Sequence, residues 1–501
     1  MATFITSKSV GQTISFQLVE SNTGFWKYNH DGIDSSVKSA SYGHNIPITN
    51  SNGEFTIIPC DSNGNVSGGI THLFISDNQI TSFDGTDLTN LTRLALNANQ
   101  ITSLDGFILP SSLTHLYLNN NPLTSFDGTD FTSLTHLYLE NNQLQSLEGF
   151  IFPSSLTHLY FSESQLTSFD GTDLGLSNLT YLNLTQNQLT SFNGNGLSSL
   201  LTLILTQNQL TSFVGTGLIN LENLYLGINP LTSFDGTDLT SLLELYFENS
   251  SLTSFDGAGL NSLTSLALVN SPLTSFDGTD LTSLISLNFY NNQITSLDDF
   301  IFPSNLIQLI LEGNLLTSFD ATNLGLSNLD NLVLNFNQLT SFNGTGLVNL
   351  TGLHLYVNQL TSLDISNLNN LENVELYNGK FGGNPITPSA NDQILIKLSQ
   401  NGNQGGNFTT SNGRTAASNA AYDTLVSSGF WLEGLDLVTP PVVGNGRLAI
   451  RGFRPTPSWN GGAIYNIGAV VTHEGQTWHC IQYAPAGYGP FGGYIDVYWT
   501  L

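Results

Sequence analysis

The feature that most constrains this chain is a polar residue that recurs at nearly constant intervals through its middle. The interval is 21, 22 or 23 residues, and the residue is asparagine at eleven of fourteen positions and serine at three. The positions are Asn78, Asn99, Asn121, Asn142, Ser164, Asn187, Asn208, Asn229, Ser250, Ser271, Asn292, Asn314, Asn337 and Asn358. A repeat this short cannot bury its own apolar residues, so the fourteen repeats must stack into one solenoid.

Each recurring polar residue follows a segment in which leucines alternate with other residues, as Leu137 and Leu139 do. Such alternation is typical of a strand that sends every second side chain into a core. We expect the asparagine to turn inward where the strand ends, because its amide can satisfy backbone groups that the bend leaves unpaired. The pattern L-x-x-L-x-L-x-x-N-x-L resembles the leucine-rich repeat of bacterial and phage surface proteins over roughly residues 70–437. The resemblance implies a repeat solenoid with a parallel β-sheet on its concave face.

A second apolar register, T-S-F, lies in the return segment of each repeat. Phenylalanine fills it in ten repeats and leucine in four. Three of the leucine repeats carry a phenylalanine three residues later, at Phe107, Phe150 and Phe300, which keeps the aromatic volume. We therefore predict a stacked aromatic spine on the convex side. The repeats are too short for a full helix there, so we expect turns or 3₁₀ segments.

The regions on either side of the array differ from it in composition. We predict a β-rich cap or assembly domain at residues 1–69, the solenoid at 70–379 and a capping region with helices at 380–437. A linker at residues 438–446 and a small all-β module at 447–501 follow. In the capping region, NDQILIKLSQNG predicts a helix with Asn391 as its cap and Gly402 beyond its end. A second helix is predicted to stop near Gly429.

The last 55 residues are rich in aromatic residues and resemble the small three-stranded chitin- or cellulose-binding modules of glycoside hydrolases. The matching residues are Trp459, Tyr465, Gly468, Val471, Gly475, Trp478, Tyr483, Pro490 and Trp499. In such modules exposed rings stack on the C–H faces of sugars. The resemblance implies glycan contacts by Trp459, Tyr465, Trp478, Tyr483, Tyr488 and Trp499. The family's adjacent tryptophan pair falls at Gln482 and Tyr483, which disfavours strong polysaccharide binding, and the alternative role of Trp478 and Trp499 is structural.

Outward strand residues, which alternate with the leucines, form columns from repeat to repeat. The aromatic ones are His115, His136, His158, Tyr117, Tyr138, Tyr160, Tyr225 and Tyr246. Adjacent strands bring like residues into contact, and these side chains predict a binding platform for a glycan or protein. The alternative is that duplicated repeats merely carry duplicated residues. Stacked histidines do not converge on one ion, so we predict no metal site. Their protonation below about pH 6.5 would make binding acid-sensitive.

The motif S-F-D-G-T-D places two columns of aspartates on the return segments. They are Asp84, Asp127, Asp170, Asp235, Asp277 and Asp87, Asp130, Asp173, Asp238, Asp280. Asp-Gly is first of all a turn signal. The alternative is that the stacked carboxylates gather cations, Ca²⁺ above all, because calcium prefers several oxygen ligands. No resident cofactor is predicted.

Composition and motifs exclude several function classes. Ten Lys and Arg residues stand against 38 Asp and Glu residues, a net charge of −28, which disfavours nucleic acid and anionic membranes. No apolar run is long enough to span a membrane, and we predict no membrane insertion. Motifs for a nucleophile elbow, a zinc protease or a phosphate loop are absent, and Glu244 and Glu248 are expected to be too well solvated to act as an acid pair. We therefore predict a protein without catalytic residues.

The chain start, MATFITSKSVGQTISFQLVE, lacks the apolar core of an ordinary signal peptide, and the two cysteines, Cys60 and Cys480, form no disulfide framework. We predict an extracellular or virion-surface location and a partner that is a host-surface glycan or protein. The first hypothesis is an adhesin, phage fibre or decoration protein. The alternatives are a secreted bacterial cell-surface protein and a self-assembling coat or filament subunit that contacts its own copies or virion partners through the N-terminal region.

Overall fold

The structure, a computed structural model, describes residues 70–437 with their side chains. Outside that range it describes only the backbone of strands between residues 2 and 60 and between residues 470 and 500. The chain divides into two compact units, Met1–Val438 and Thr439–Leu501.

One long sheet, here called the concave sheet, runs through the first unit. Fourteen parallel strands correspond to the fourteen predicted repeats, and the structure confirms the predicted solenoid. They span Ile70–Phe74, Arg93–Ala95, His115–Tyr117, His136–Tyr138, His158–Tyr160, Tyr181–Asn183, Thr202–Ile204, Asn223–Tyr225, Glu244–Glu248, Ser265–Val269, Ser286–Asn288, Gln308–Ile310, Asn331–Val333 and Gly352–His354. Like residues pair in register, so that Leu116 lies beside Leu137 and Leu137 beside Leu159. All three leucines are fully buried.

The asparagine register forms the predicted ladder inside the strand ends. Asn121, which is 3% exposed, accepts hydrogen bonds from the backbone N–H of Asn99 and Ile101 at 3.1 and 3.2 Å. Its amide donates to the carbonyls of Leu96 and Leu118 at 3.0 and 2.9 Å. One side chain thus satisfies four backbone groups from two repeats, which is why the chain can bend sharply at every strand end.

The convex side differs from the prediction of turns or 3₁₀ segments. Between residues 70 and 379 it consists of turns and short strands, which pair in parallel except for Ile80–Asp84, and no 3₁₀ helix occurs there. The strands are Ile80–Asp84, Ser168–Asp170, Ser191–Asn193, Ser212–Val214, Ser233–Asp235, Ser254–Asp256, Ser275–Asp277, Phe300–Ile301, Ser318–Asp320 and Ser341–Asn343. Where S-F-D segments of adjacent repeats pair, their phenylalanines lie side by side, as Phe169 and Phe192 do.

The aromatic spine is present. From Phe192 to Phe213 and from Phe213 to Phe234 the ring centroids are 6.0 and 5.9 Å apart and nearly parallel. Phe300 continues the spine, 6.4 Å from Phe276, so the predicted compensation is confirmed at this repeat. Around Phe150 the packing differs, because its neighbours are Phe152 and Phe161.

The N-terminal strands extend the sheets at the first repeat. They span Ala2–Thr6, Thr13–Glu20, Phe25–His30, Ile33–Asp34, Lys38–Ser39, His44–Pro47 and Glu54–Cys60. Thr13–Glu20 pairs antiparallel with Ile70–Phe74 at the edge of the concave sheet, and Ala2–Thr6 pairs antiparallel with Ile80–Asp84. These pairings occupy edges that the first repeat would otherwise leave open.

Helices Pro388–Asn401 and Asn419–Ser427 follow the repeats, preceded in the second case by a 3₁₀ turn, Ala416–Ser418. Gly402, with a φ of 75°, lies just beyond the end of the first helix as predicted, but the N-terminal cap is Thr387 and not Asn391. Asn391 lies inside the helix, where it is buried and donates to the carbonyl of Gly413.

The concave sheet continues into this region, which the sequence did not predict. Three more parallel strands span Asn373–Glu375, Asn407–Thr409 and Trp431–Glu433. A hairpin of Tyr377–Asn378 and Gly382–Gly383 is inserted before the next ladder asparagine, Asn384. The side-chain oxygen of Asn384 accepts a hydrogen bond from the backbone N–H of Leu360 at 3.0 Å. In the second unit the strands Val470–His473, Gln476–Cys480 and Trp499–Thr500 form an antiparallel sheet.

Candidate functional site

The candidate site is the outward surface of the concave strands. We call His115, His136 and His158 the histidine column, and Tyr117, Tyr138 and Tyr160 the tyrosine column. Strand alternation fixes both, because the buried leucine of each strand separates its histidine from its tyrosine. In-register pairing then brings like residues together across three adjacent strands.

Both columns are stacks of nearly parallel rings. Neighbouring histidine rings are 4.2 Å apart with planes within 9°. Tyr117 and Tyr138 are 4.3 Å apart, and Tyr138 and Tyr160 4.4 Å. Because the faces of the inner rings lie against one another, the columns present ring edges, hydroxyls and nitrogens outward. A sugar ring therefore cannot lie flat on the inner rings. The predicted platform would instead contact a partner through ring edges and polar atoms.

Two further tyrosine features lie along the same sheet. Tyr225 and Tyr246 form a separate stacked pair, 5.1 Å apart with planes within 2°. Tyr181, which we did not predict, extends the columns, because its ring lies 5.7 Å from that of His158 and 5.0 Å from that of Tyr160. Its position on the strand after His158 was the available signal.

A threonine precedes each histidine and holds its ring. The hydroxyls of Thr114, Thr135 and Thr157 lie 2.9 Å from Nδ1 of the following histidine. Each hydroxyl is also 3.0 Å from the threonine carbonyl of the preceding repeat. Sequence reasoning passed over these threonines, although one precedes the histidine in every one of these repeats.

The histidines resist protonation. Burial, together with the neighbouring His158, His115 and Arg93, lowers the pKa of His136 to about 4. Burial also lowers the pKa of His115 and of His158. Because partial desolvation disfavours the imidazolium, the column protonates at lower pH than free histidine does, and the predicted acid sensitivity of binding is expected to begin below pH 6.5.

Glutamates lie beside the tyrosines and are less solvated than predicted. Burial raises the pKa of Glu140 to about 7, and its Oε2 is shielded from solvent and has no hydrogen-bond partner. Burial also raises the pKa of Glu244, which contradicts the expectation that this carboxyl is well solvated. The hydroxyl of Tyr246 donates to Glu244 at 3.4 Å. The ring stacks beside these carboxylates displace water, which the sequence did not reveal.

A third polar cluster lies towards the end of the sheet. His354 Nδ1 is 2.9 Å from Glu375 Oε2, and Asn407 donates to the other oxygen of Glu375 at 3.3 Å. Burial raises the pKa of Glu312, which accepts a long hydrogen bond from Asn335. Burial and the nearby Glu312 and Glu375 raise the pKa of Tyr356, so tyrosine and glutamate lie together at three places along the sheet.

The convex aspartates serve turns. Asp127 Oδ1 accepts from the backbone N–H and the hydroxyl of Thr129 at 2.9 and 2.5 Å, and Asp84, Asp235 and Asp277 bond their threonines in the same way. These hydrogen bonds lower the pKa of Asp127. Among residues 70–437 no group of three or more His, Cys, Asp or Glu side chains is arranged to hold a metal ion.

In the C-terminal module, Trp478 and Trp499 lie on neighbouring strands, and Cys480 pairs with Trp499. The other predicted glycan contacts lie outside the described residues; they are Trp459, Tyr465, Tyr483 and Tyr488. In the part of the chain that the structure describes, no helix has the length and hydropathy of a membrane span.

Comparison with known proteins identifies the repeats. Models of the leucine-rich repeat match residues 132–189, and models of two tandem copies match residues 69–109 and 111–151. No curated protein matches the chain significantly.

Three solved structures illustrate the likeness. The functional domain of InlJ from Listeria monocytogenes is 26% identical, covers 69% of this chain with 75% of its own, and has a TM-score of 0.49. A leucine-rich-repeat protein of Leptospira interrogans is 30% identical, with 62% and 77% covered and a TM-score of 0.46. YopM, a leucine-rich effector of Yersinia pestis, is 22% identical, with 63% and 84% covered and a TM-score of 0.48. None of these three TM-scores reaches 0.5, and the family is identified by the matched repeat models and the stacked parallel strands. The chain is a leucine-rich-repeat protein.

Proposed function

We propose that this chain is a non-catalytic recognition protein that binds a protein partner on its concave sheet. The observation that carries the proposal is the set of half-buried aromatic columns at the outward strand positions. The histidine and tyrosine columns and the pair Tyr225–Tyr246 give the sheet a rigid surface of ring edges and hydroxyls. Stacked rings have little freedom to lose on binding, which favours affinity.

A protein partner is favoured over a glycan on this sheet. Face-on contact with sugars needs open ring faces, and the inner rings of the columns have none. Ring edges, phenol hydroxyls and carboxylates are instead suited to hydrogen bonds from peptide and side-chain donors. Glycan binding is assigned to the C-terminal module, where its support is the resemblance of residues 447–501 to carbohydrate-binding modules.

The proposed location of the protein is outside a cell, where a recognition surface can meet its partner. An adhesin, a phage fibre or decoration protein, and a secreted bacterial surface protein all present a recognition surface outside a cell. A self-assembling coat subunit is the competing proposal, and it predicts that the concave sheet binds another copy of this chain. Electron microscopy of the purified chain separates single particles from filaments or sheets.

The proposal is tested by probing peptide and glycan arrays with the full chain and with a Tyr117→Ser/Tyr138→Ser variant. The control is Val214→Ser, because Val214 is 45% exposed on the convex side. We expect peptide binding that the concave variant loses and the control keeps. Peptide binding that survives the concave variant, or an absence of peptide binding by the unmodified chain, would refute the proposal. Glycan binding by both variants would be assigned to the C-terminal module.

A further inference from the structure

Glutamate and aspartate are divided between the two sides of the solenoid. The first aspartate of the S-F-D-G-T-D motif is committed to a turn through bonds to the threonine two residues later, as Asp127 is to Thr129. The glutamates lie instead on or beside the concave strands, with the exposed Glu148 as the exception among residues 70–437. Those on or beside the strands are Glu140, Glu163, Glu222, Glu244, Glu248, Glu312, Glu372, Glu375 and Glu433. The negative charge of the concave sheet is therefore not explained by turn formation.

Few cations balance that charge. Residues 70–437 contain four Lys and Arg residues, and Arg93 is the one on a concave strand. In the same stretch, His354 Nδ1 lies 2.9 Å from Glu375 Oε2 on the sheet. Glu140 has a shielded oxygen without a hydrogen-bond donor. Partly desolvated carboxylates of this kind gain most from a cation supplied by a partner.

The histidine column adds acceptors rather than positive charge. The hydroxyl of Thr135 is 3.0 Å from the carbonyl of Thr114. Thr180 keeps the same 3.0 Å contact to the carbonyl of Thr157, although a tyrosine and not a histidine follows it. The hydroxyl proton is thus used by the carbonyl, and the hydroxyl oxygen accepts the Nδ1–H of His136 at 2.9 Å. The opposite nitrogen, Nε2, then carries a lone pair and accepts hydrogen bonds.

The carboxylates and the threonine-bonded imidazoles of the concave sheet are all hydrogen-bond acceptors, so they favour a partner that supplies donors. We infer that the concave sheet between His115 and Glu375 binds a cationic protein segment rich in lysine and arginine. Guanidinium and ammonium groups offer donors without acceptors, and they match a surface that offers acceptors at the histidine column and beside each group of tyrosines. The edges of the flanking tyrosine stacks then pack along the aliphatic stems of these side chains. This inference builds on the proposed function and specifies the partner.

The test measures binding of a fluorescent peptide of alternating arginine and glycine to the full chain by anisotropy, at about 50 and 300 mM salt. The concave variant is Glu140→Gln/Glu244→Gln/Glu312→Gln. The matched control, Asp105→Asn/Glu148→Gln/Asp298→Asn, removes the same number of carboxyl groups from equivalent exposed convex positions, where the backbone N–H of each residue bonds a serine hydroxyl. Circular dichroism verifies folding, and the single variant Glu140→Gln replaces the triple variant if that one unfolds.

We expect the concave variant to raise Kd roughly tenfold or more, and the control to change it less than about twofold. Equal weakening by both variants would show attraction to net charge alone and overturn the inference, as would no weakening by either. Array binding of neutral or acidic peptides that the tyrosine variant abolishes would overturn this inference while leaving the proposed function intact. Nitrogen NMR of the histidines gives a second check, since a protonated Nε2 in His136 at pH 7 would contradict the acceptor assignment.

Discussion

Removal of one ladder asparagine gives the sharpest energetic prediction. Asn121→Ala leaves the N–H groups of Asn99 and Ile101 without partners inside the solenoid, whereas the carbonyls of Leu96 and Leu118 keep hydrogen bonds from the amides of Asn99 and Asn142. A buried backbone group without a partner costs about 1–3 kcal/mol. Two groups at the middle of this range give a local destabilisation of about 4 kcal/mol, or roughly a thousandfold in the opening equilibrium.

Hydrogen exchange resolved to single residues measures this directly, because the two amides lose their acceptors. We expect the amides of Asn99 and Ile101 to exchange roughly a thousandfold faster in the variant. The control is Asn220→Ala, which removes one exposed hydrogen bond to the carbonyl of Ser198. Exchange in Asn121→Ala that stays within tenfold of the control would refute the ladder as a source of stability.

Three further predictions concern packing and pH. Phe213 is 3% exposed in the aromatic spine, and Phe213→Ala should lower the free energy of unfolding measured in urea by about 3–5 kcal/mol. Val214→Ala, at the exposed neighbouring position, should change it by less than about 0.5 kcal/mol. Similar values for the two variants would contradict a stabilising role of the spine. Because the pKa of Glu140 is raised from 4.5 to about 7, the folded chain binds more protons than the unfolded chain between these pH values. The contribution of Glu140 to stability should therefore fall as pH rises from 4.5 to 7. A Glu140→Gln variant whose stability has the same pH dependence as the unmodified chain would contradict this prediction. The pKa of His136, lowered to about 4 from 6.5, has the opposite sign: its contribution should be lost as pH falls from 6.5 towards 4, and NMR titration of its ring should show a midpoint near 4 rather than near 6.5.

Features that depend on spacing alone could be predicted from the sequence. The strands, the buried leucines and the ladder each repeat a local pattern, so one repeat predicts the next. The prediction stopped early at the end of the array because the hairpin after Tyr377 moves Asn384 to 26 residues beyond Asn358, outside the 21–23 interval.

Features that depend on neighbouring repeats could not be predicted in the same way. The pattern brings His136 next to His158, but the plane of the rings depends on the threonine bonds and on packing. Glu140 looks like any outward strand residue, and its burial becomes visible only with the tyrosines placed around it. The convex strands were missed because three residues of S-F-D are too few to predict a strand from alternation.

The central claim is that outward residues of adjacent repeats lie side by side in register. Disulfide formation in a His136→Cys/His158→Cys variant tests it most directly, since these residues are backbone partners on neighbouring strands and adjacent parallel strands lie within bonding range for cysteines. We predict rapid cross-linking on mild oxidation, and none in His136→Cys/Leu159→Cys, because Leu159 points into the core. Cross-linking in the second variant and not in the first would contradict the register and the site built on it.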